Sequence, residues 1–469
     1  MKAVLRTVFA SLLFLLPLFA ATSQARTIVP EHEVLKTRNG IPVYFFPSPN
    51  LPIFQVDLVF SGGSEWDPEL KSGIGAFSTA MLRRGIPGMD EDAIFRKTDD
   101  LAAGIDFSVS DDRTFVTAYG LNEHVDEIVD LMFNQITTPT FPEKPFLRLK
   151  ANHVDSIEQL PDSPGAIASH VLDLLIFNGT SRARPSSGFK NDVKKLTLAE
   201  VRAYYSHLLR TDRLKVLVVG GKRASEIAAK VMRNLELLPC EKCGTAPRKG
   251  RKWVFPSWKL ARNEVLLLER PGISEAHIRM GFLGPKRLIP EFFELRVAET
   301  ILSGYYLSRM NQVIREKLNL TYGISAGFDF GAETGIFTIS TSTRNEKVSE
   351  LLLEVNKLMK DFAGGNISQE ELQFAKDFIN GSFPLALQNR YVIASTFFSG
   401  LLNGLPIDFL DTYQSSINKV TLEGLRAAVK KYVRLDQMTT VIAGDPKAIS
   451  AELRKAKMKY RQEAPRKYL

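Results

Sequence analysis

The stretch LTLAEVRAYYSHLLRTDRLKVLVVG, residues 196–220, aligns without a gap with VTLEGLRAAVKKYVRLDQMTTVIAG, residues 420–444. In both stretches a threonine precedes a run with helical apolar spacing, and an aspartate turn then leads into an apolar strand. Seven aligned positions are identical, among them Thr197, Arg202 and Gly220. A repeat of this length predicts that the chain is built from a duplicated unit.

A second pair of stretches supports the duplication. FVTAYGLNEHVDEIVDLMFNQI begins at Phe115 and parallels FTISTSTRNEKVSELLLEVNKLM, which begins at Phe337. Each reads as an alternating strand, a turn containing Asn-Glu and an amphipathic helix. We therefore predict two homologous α+β domains in tandem, at residues 26–236 and 259–452. Each would be a mainly antiparallel sheet packed with helices, and together they would form half of a clamshell chamber.

The N-terminus has the pattern of a secretory signal peptide. Lys2 and Arg6 precede an apolar run at residues 8–20, and small residues then mark a cleavage site before Arg26. The run is too short to span about 30 Å of hydrocarbon comfortably, which disfavours a membrane anchor. No later run is long and apolar enough to span. We expect residues 1–25 to be removed and the protein to be periplasmic or secreted, with no transmembrane segment.

The positive charge of the chain is concentrated at its C-terminus. The formal net charge is +9, and residues 453–469 carry seven Lys or Arg side chains against Glu463 alone. A basic tail can contact anionic lipid or nucleic acid. For an exported protein we instead expect a solvated, frayed terminus and no nucleic-acid partner.

The two cysteines, Cys240 and Cys243, lie in PCEKCG within a Pro-, Gly- and Lys-rich linker at residues 237–258. A redox pair would require a helix start in a thioredoxin-like unit, and a four-cysteine zinc site would require a second pair. Neither pattern occurs. We expect a small local disulfide in an oxidising compartment.

Motifs for metal or nucleophilic chemistry are missing. No two histidines lie three to five residues apart, and neither H-E-x-x-H nor H-x-x-E-H occurs. There is also no G-x-S-x-G turn and no phosphate-binding glycine loop. We interpret the lone histidines as surface or satisfied core residues, and Asp111-Asp112 and Glu65/Asp67 as solvated turns. The histidines are His32, His124, His153, His170, His207 and His277.

The segment FSGGSEWDPELKSGIGAFSTAMLRRG, residues 60–85, resembles the zinc-site region of the pitrilysin/insulinase-type peptidases, the inverzincin family that includes mitochondrial processing peptidase. In that family a strand ending in Gly, an acidic turn and small residues lead into a helix with H-x-x-E-H. Met81-Leu82 and Arg84-Gly85 match the end of that helix. The positions of the two zinc-binding histidines and the base fall on Ala76, Thr79 and Ala80.

The third zinc ligand of the family is a glutamate on a later helix, shortly before Asp-x-Pro. In KANHVDSIEQLPDSP, residues 150–164, that position falls near Ser156. Neighbouring Asp155 and Glu158 could not hold zinc without the histidines. The resemblance therefore implies a chain without zinc or any other cofactor, with zinc expected in a partner subunit.

A second motif of the family is retained. VIREKLNLTYG, residues 313–323, resembles its Arg/Tyr element, which reaches across the chamber, binds the substrate carbonyl and stabilises the developing oxyanion. Arg315 and Tyr322 occupy the two positions. The alternative interpretation is a helix-end Arg315 paired with Glu316, and Tyr322 in the core of a strand.

Two functional hypotheses follow from the resemblance. In the first, the chain is inactive alone and forms a heterodimer with a zinc-bearing homologue, completing a chamber that cleaves peptides or unfolded proteins. In the second, it is a peptide-binding or structural scaffold with no role in catalysis. An active enzyme with unorthodox ligands is the least favoured interpretation.

Overall fold

The computed structural model describes residues 27–48, 50–221, 224–238, 260 and 264–469. The predicted signal peptide and the Cys240/Cys243 pair lie outside the described residues. Within those ranges, no helix combines the length and apolarity needed to cross a membrane.

The first half of the chain forms one six-stranded sheet with helices, and a small two-stranded ribbon. The sheet order is β1-β2-β8-β3-β7-β6, and every pairing is antiparallel except β2 with β8. The strands are β1 (Glu33–Lys36), β2 (Pro42–Pro47), β3 (Ile53–Ser61), β4 (Gly85–Ile86), β5 (Met89–Asp90), β6 (Gly104–Val109), β7 (Arg113–Leu121) and β8 (Leu214–Gly220). The helices are α1 (Ile74–Met81), α2 (Glu91–Asp100), α3 (Val125–Thr137), α4 (Glu143–Gln159), α5 (Pro164–Ile176), α6 (Lys190–Lys195), α7 (Leu198–Leu208) and α8 (Ala224–Leu237).

The second half repeats this plan in a sheet of order β11-β12-β10-β13-β9-β14. Its strands are β9 (Val265–Glu269), β10 (Glu275–Gly284), β11 (Ile324–Asp329), β12 (Gly335–Arg344), β13 (Thr439–Gly444) and β14 (Tyr460–Glu463). Its helices are α9 (Phe292–Ser303), α10 (Val348–Ala363), α11 (Gln369–Ala386), α12 (Arg390–Leu402), α13 (Phe409–Lys419), α14 (Leu422–Tyr432) and α15 (Pro446–Lys455), and residues Asn311–Lys317 form a π-helical turn.

The repeat read from the sequence recurs in the two sheets. The order β2-β8-β3-β7-β6 in the first sheet corresponds to β9-β13-β10-β12-β11 in the second, and the parallel pair β2–β8 has its equivalent in β13–β9. The helices before β8 and β13 begin alike, because Thr197 accepts from the Glu200 N–H and Thr421 from the Gly424 N–H. The prediction of two homologous α+β units is confirmed.

The two halves exchange one helix each. Helix α5 of the first half packs on β10 and β13 of the second sheet, where Ile167 and Val171 join a core with Leu266. Helix α12 of the second half packs on β8 of the first sheet, and its Phe397 joins a core with Phe46. The sequence halves are therefore not separate packing units.

The basic C-terminal segment is ordered, so the expectation of a frayed tail is wrong. Strand β14 pairs in parallel with β9, and Tyr468 is buried. The Nε2 of His170, on helix α5, lies 3.0 Å from the Tyr468 carbonyl oxygen. The basic side chains do not prevent this packing, because strand pairing uses the backbone and the tyrosine supplies apolar surface.

Candidate functional site

Helix α1 carries the three positions that the sequence resemblance aligns with a zinc motif, and a buried carboxylate supports the N-terminus of this helix. Gly73 precedes the helix with φ +89°, a conformation that favours glycine. The Asp67 carboxylate accepts hydrogen bonds from the N–H groups of Gly73 at 2.7 Å and Gly75 at 3.1 Å. Asp67 is only 1% exposed, and Arg184 donates from Nη1 to its carbonyl oxygen at 2.6 Å. The interpretation of Asp67 as part of a solvated turn is therefore wrong.

Burial also changes the acidity of this turn. It raises the pKa of the Asp67 carboxyl to about 7, against the lowering effect of the Gly73 N–H and of Arg184. The carboxylate lies where the positive end of the α1 dipole and two otherwise free N–H groups stabilise an anion. Its contacts indicate a structural role at the base of the motif helix.

The three motif positions on α1 offer no metal ligand. Ala76 and Ala80 are half-buried on one face of the helix, and Thr79 is 3% exposed. The Thr79 hydroxyl donates to the carbonyl oxygens of Gly75 and Ala76, at 3.1 and 3.0 Å. On helix α4 the Ser156 hydroxyl donates to Asn152 O at 2.9 Å. Over the described part of the chain, no three His, Cys, Asp or Glu side chains are grouped so that they could hold a metal ion.

The imidazole of His153 lies beside α1 but already has a partner. Its ring packs edge-on against Phe77 with centroids 5.0 Å apart. Its Nε2 lies 2.6 Å from the carbonyl oxygen of Ser187. For His153, as for His170, the interpretation as a satisfied histidine is confirmed.

Arg315 lies in the π-helical turn of the second half and its side chain is 39% exposed. Its Nε is 3.4 Å from Glu316 Oε1, and its guanidinium carbon is 5.0 Å from the centroid of the Tyr306 ring. Within the described residues, no hydrogen bond involves its Nη1 or Nη2 atoms, and its pairing with Glu316 is made at Nε. The terminal nitrogens are therefore available to an external acceptor.

Tyr322 is 91% exposed, so the alternative of a tyrosine in a strand core is wrong. It lies two residues before β11, at a bend that Thr321 fixes through hydrogen bonds with the N–H and carbonyl of Gly323. Because the bend uses the threonine hydroxyl and the backbone, the tyrosine side chain is left projecting into solvent.

Arg315 and Tyr322 both lie on the segment between α9 and β11 in the second half, whereas Ala76, Thr79 and Ala80 lie in the first half. Among the described residues, no hydrogen bond, ion pair or ring contact joins Arg315 or Tyr322 to the motif positions on α1. Sequence reasoning missed Tyr306, which stands in GYYLS with no family pattern to single it out.

A polar joint connects the halves near the turns β6–β7 and β11–β12. Arg182 follows α5 and its guanidinium lies 4.4 Å from the centroid of the Phe177 ring. It contacts Asp111 at 3.3 Å in the first half, and in the second half Asp329 at 3.6 Å and the Thr334 carbonyl at 2.5 Å. A cavity of about 300 Å³ opens here.

Carboxyl groups at this joint have raised pKa values. Burial, followed by the nearby Asp112 and Asp111 carboxylates, raises the pKa of Glu65 to about 7. Burial raises the pKa of Asp173, on the cavity wall, to about 6, although Arg182 favours its charged form. The joint therefore titrates in the neutral range.

Residues 195–378 match the protein family described as Peptidase M16 inactive domain. The chain is 20% identical over 408 residues to a Helicobacter pylori protein named Non-peptidase homolog YmxG, covering 87% of this chain and 92% of that protein. A solved peptidase M16 inactive domain from Pseudomonas fluorescens has a similar fold, with a TM-score of 0.77 and 24% identity over 88% of this chain and 98% of that chain. The periplasmic protease PqqL from Escherichia coli is similar over 89% of this chain and 46% of its own, with a TM-score of 0.71 and 16% identity. The resemblance and the fold class drawn from the sequence are confirmed.

Proposed function

Because residues 195–378 match the Peptidase M16 inactive domain family and the fold is similar to that of solved M16 structures, we propose that the chain is a zinc-free subunit of a heteromeric metallopeptidase. It completes the substrate chamber of a zinc-bearing homologue and supplies Arg315 and Tyr322. The observation that carries this proposal is the solvent exposure of these two side chains. Both present hydrogen-bond donors to solvent, whereas helix α1 offers no metal-binding side chain at its three motif positions.

The chemistry of the pair suits oxyanion binding. A guanidinium and a phenolic hydroxyl can both donate hydrogen bonds to a carbonyl oxygen, and both hydrogen bonds strengthen as negative charge develops on that oxygen. Removing one such donor typically lowers kcat by about 100- to 1,000-fold. Neither group can activate water, and Ala76, Thr79 and Ala80 cannot replace the missing zinc and base. The cleaving chemistry would come from the partner subunit.

Export and partnership belong to the same proposal. The N-terminal pattern of residues 1–25 supports export, and the Escherichia coli structure of similar fold is described as periplasmic. The Helicobacter pylori relative is named as a non-peptidase. A partner with H-x-x-E-H would be of similar size, and the substrate would be a peptide or an unfolded protein.

The test is purification of the complex from the native envelope, followed by reconstitution from separate subunits. Alone, the chain should hold no stoichiometric zinc and cleave no peptide. Adding the partner should raise peptide cleavage, and Arg315→Ala should remove most of that gain. The matched control is Arg434→Ala, an exposed arginine 3.7 Å from Asp436 in the same half. Full activity of Arg315→Ala, or zinc bound tightly by this chain, would overturn the proposal.

The second candidate function is a peptide-binding scaffold. The contact of Arg315 with Glu316 favours it, because a guanidinium already paired on one edge can be purely structural. This function requires peptide affinity that is unchanged by Arg315→Ala and Tyr322→Phe. Isothermal titration of the full chain with the same peptide would separate the two candidates.

A further inference from the structure

Three side chains around Arg315 contact one another in a closed arrangement. The guanidinium carbon of Arg315 lies 5.0 Å from the Tyr306 ring centroid, and its Nε lies 3.4 Å from Glu316 Oε1. The Tyr306 hydroxyl donates to that same Glu316 oxygen at 2.9 Å. Each of the three residues therefore contacts the other two.

This arrangement determines which edge of the guanidinium remains free. The Tyr306 ring contacts the guanidinium and the Glu316 carboxylate lies at its Nε, so Nη1 and Nη2 remain open. An exposed arginine otherwise samples many rotamers, and immobilising it costs conformational entropy. Two contacts made before substrate binding restrict that freedom in advance.

The backbone around both supporting residues is fixed. The carbonyl of Tyr305, next to Tyr306, accepts from Ser308 N–H at 3.1 Å and from Asn311 Nδ2 at 3.0 Å. The Tyr305 ring also stacks on Phe374 at 4.7 Å. Glu316 lies within the π-helical turn, a conformation that is frequent at functional sites.

Packing alone does not account for Tyr306. Its side chain is 56% exposed, so the ring fills no core position. The ring contacts a cation, and its hydroxyl contacts the carboxylate that pairs with the same cation. This pattern is typical of a residue that orients another side chain.

We propose that Tyr306 and Glu316 are positioning residues that hold Arg315 with both terminal nitrogens directed to a peptide carbonyl. The inference rests on the proposed function of Arg315. It adds that a planar guanidinium is required at this position, because the ammonium of a lysine has no Nε edge to pair with Glu316 while presenting two further donors.

The experiment measures kcat and KM of the reconstituted complex on a quenched-fluorescent peptide, chosen from a library for cleavage by the wild-type complex. We expect Tyr306→Leu to lower kcat at least 10-fold with less than a 3-fold change in KM, since the oriented donors matter most in the transition state. Tyr306→Phe keeps the ring and should lose only about 3-fold, as should Glu316→Gln. The control Leu307→Ala, at an exposed neighbour, should retain full activity.

A double variant separates this inference from the proposed function. If Tyr306 acts through Arg315, then Arg315→Ala with Tyr306→Leu should be no slower than Arg315→Ala alone. Loss of activity in Arg315→Ala with full activity in both Tyr306→Leu and Glu316→Gln would overturn the positioning role only. Full activity in Arg315→Ala would instead overturn the proposed function. If Tyr306→Leu fails to fold, Tyr306→Phe and Glu316→Gln decide the outcome.

Discussion

Because the residues at the motif positions are small, helix α1 needs no metal ion or other partner to satisfy their polar groups. Thr79 is buried and satisfies its hydroxyl within its own helix, and Ala76 and Ala80 have no polar side-chain group to satisfy. The sequence resemblance aligns position 79 with the glutamate of the zinc motif. A glutamate placed here would have no histidine-bound metal beside it, since positions 76 and 80 are alanines.

Thr79→Glu should therefore destabilise the fold by roughly 3 kcal/mol, because an unpaired carboxylate would be buried or would force α1 to shift. Thr79→Val, of similar volume, should cost no more than about 1 kcal/mol, through the lost hydroxyl contact. Urea unfolding of the full chain measures both values. Equal stability of Thr79→Glu and the wild type would mean that the position is open to solvent or to a cation.

At the residue scale, motif spacing in the sequence singled out candidate site residues. The sequence did not predict which polar side chains are buried. Met81-Leu82 and Arg84-Gly85 were the residues that placed the motif alignment on this stretch, and the structure shows that residues 74–81 are helical. Asp67 looked solvated because it stands between polar residues, yet Arg184, 117 positions later, covers it. A contact across that separation leaves no periodic signal in either segment.

At the scale of elements, the exchanged helices connect the halves. Sequence pattern alone could predict that α5 and α12 are helices, but it could not assign their sheets, because apolar spacing does not specify which surface is covered. The structure places each on the sheet of the other half. The aromatic cluster under α12 includes Phe397 with ring centroids 5.6 Å from Phe46 and 4.9 Å from His32.

Phe397→Ala should lower the free energy of unfolding by about 3–4 kcal/mol, the usual cost of emptying a buried phenylalanine site. The matched control is Phe374→Ala on α11, where the ring is half-exposed and the expected cost is about 1 kcal/mol. Denaturant unfolding monitored by circular dichroism compares the two variants. Equal losses would show that α12 does not depend on its packing against the first sheet.

At the scale of the whole molecule, the repeat predicted the architecture because each repeated helix and strand are neighbours in the sequence. The same reasoning could not reach the joint around Arg182 or the ordered C-terminal segment. Both depend on contacts between distant parts of the chain, such as Arg182 with Asp329 and His170 with Tyr468. A count of basic residues suggested a solvated tail, but parallel pairing of β14 with β9 orders it.

The joint should make the stability of the molecule depend on pH in the neutral range. The pKa of Glu65 is raised to about 7 and that of Asp173 to about 6, so the folded chain binds these protons more tightly than the unfolded chain. Their stabilising contribution is complete below the ordinary carboxyl pKa and is lost as the pH rises through about 6 to 7. The unfolding free energy of the wild type should fall between pH 5.5 and pH 8 as these carboxyls lose their protons. In Glu65→Gln this fall should be smaller by about 1 kcal/mol, after allowance for solvent screening.

Glu200→Gln provides the control with the opposite sign. The side chain of Glu200 pairs with Lys71 and caps α7, and these contacts lower its pKa to about 2. Its contribution is present above the ordinary carboxyl pKa and is lost only as the pH falls toward 2. Its removal should lower the unfolding free energy equally at pH 5.5 and pH 8, so the difference between the two pH values should stay unchanged.

Guanidinium unfolding of Glu65→Gln and Glu200→Gln at both pH values tests the two expectations. If Glu65→Gln leaves the pH dependence of the unfolding free energy unchanged, Glu65 does not titrate in this range. The ion pairs of Arg182 would then already neutralise the charges of the joint.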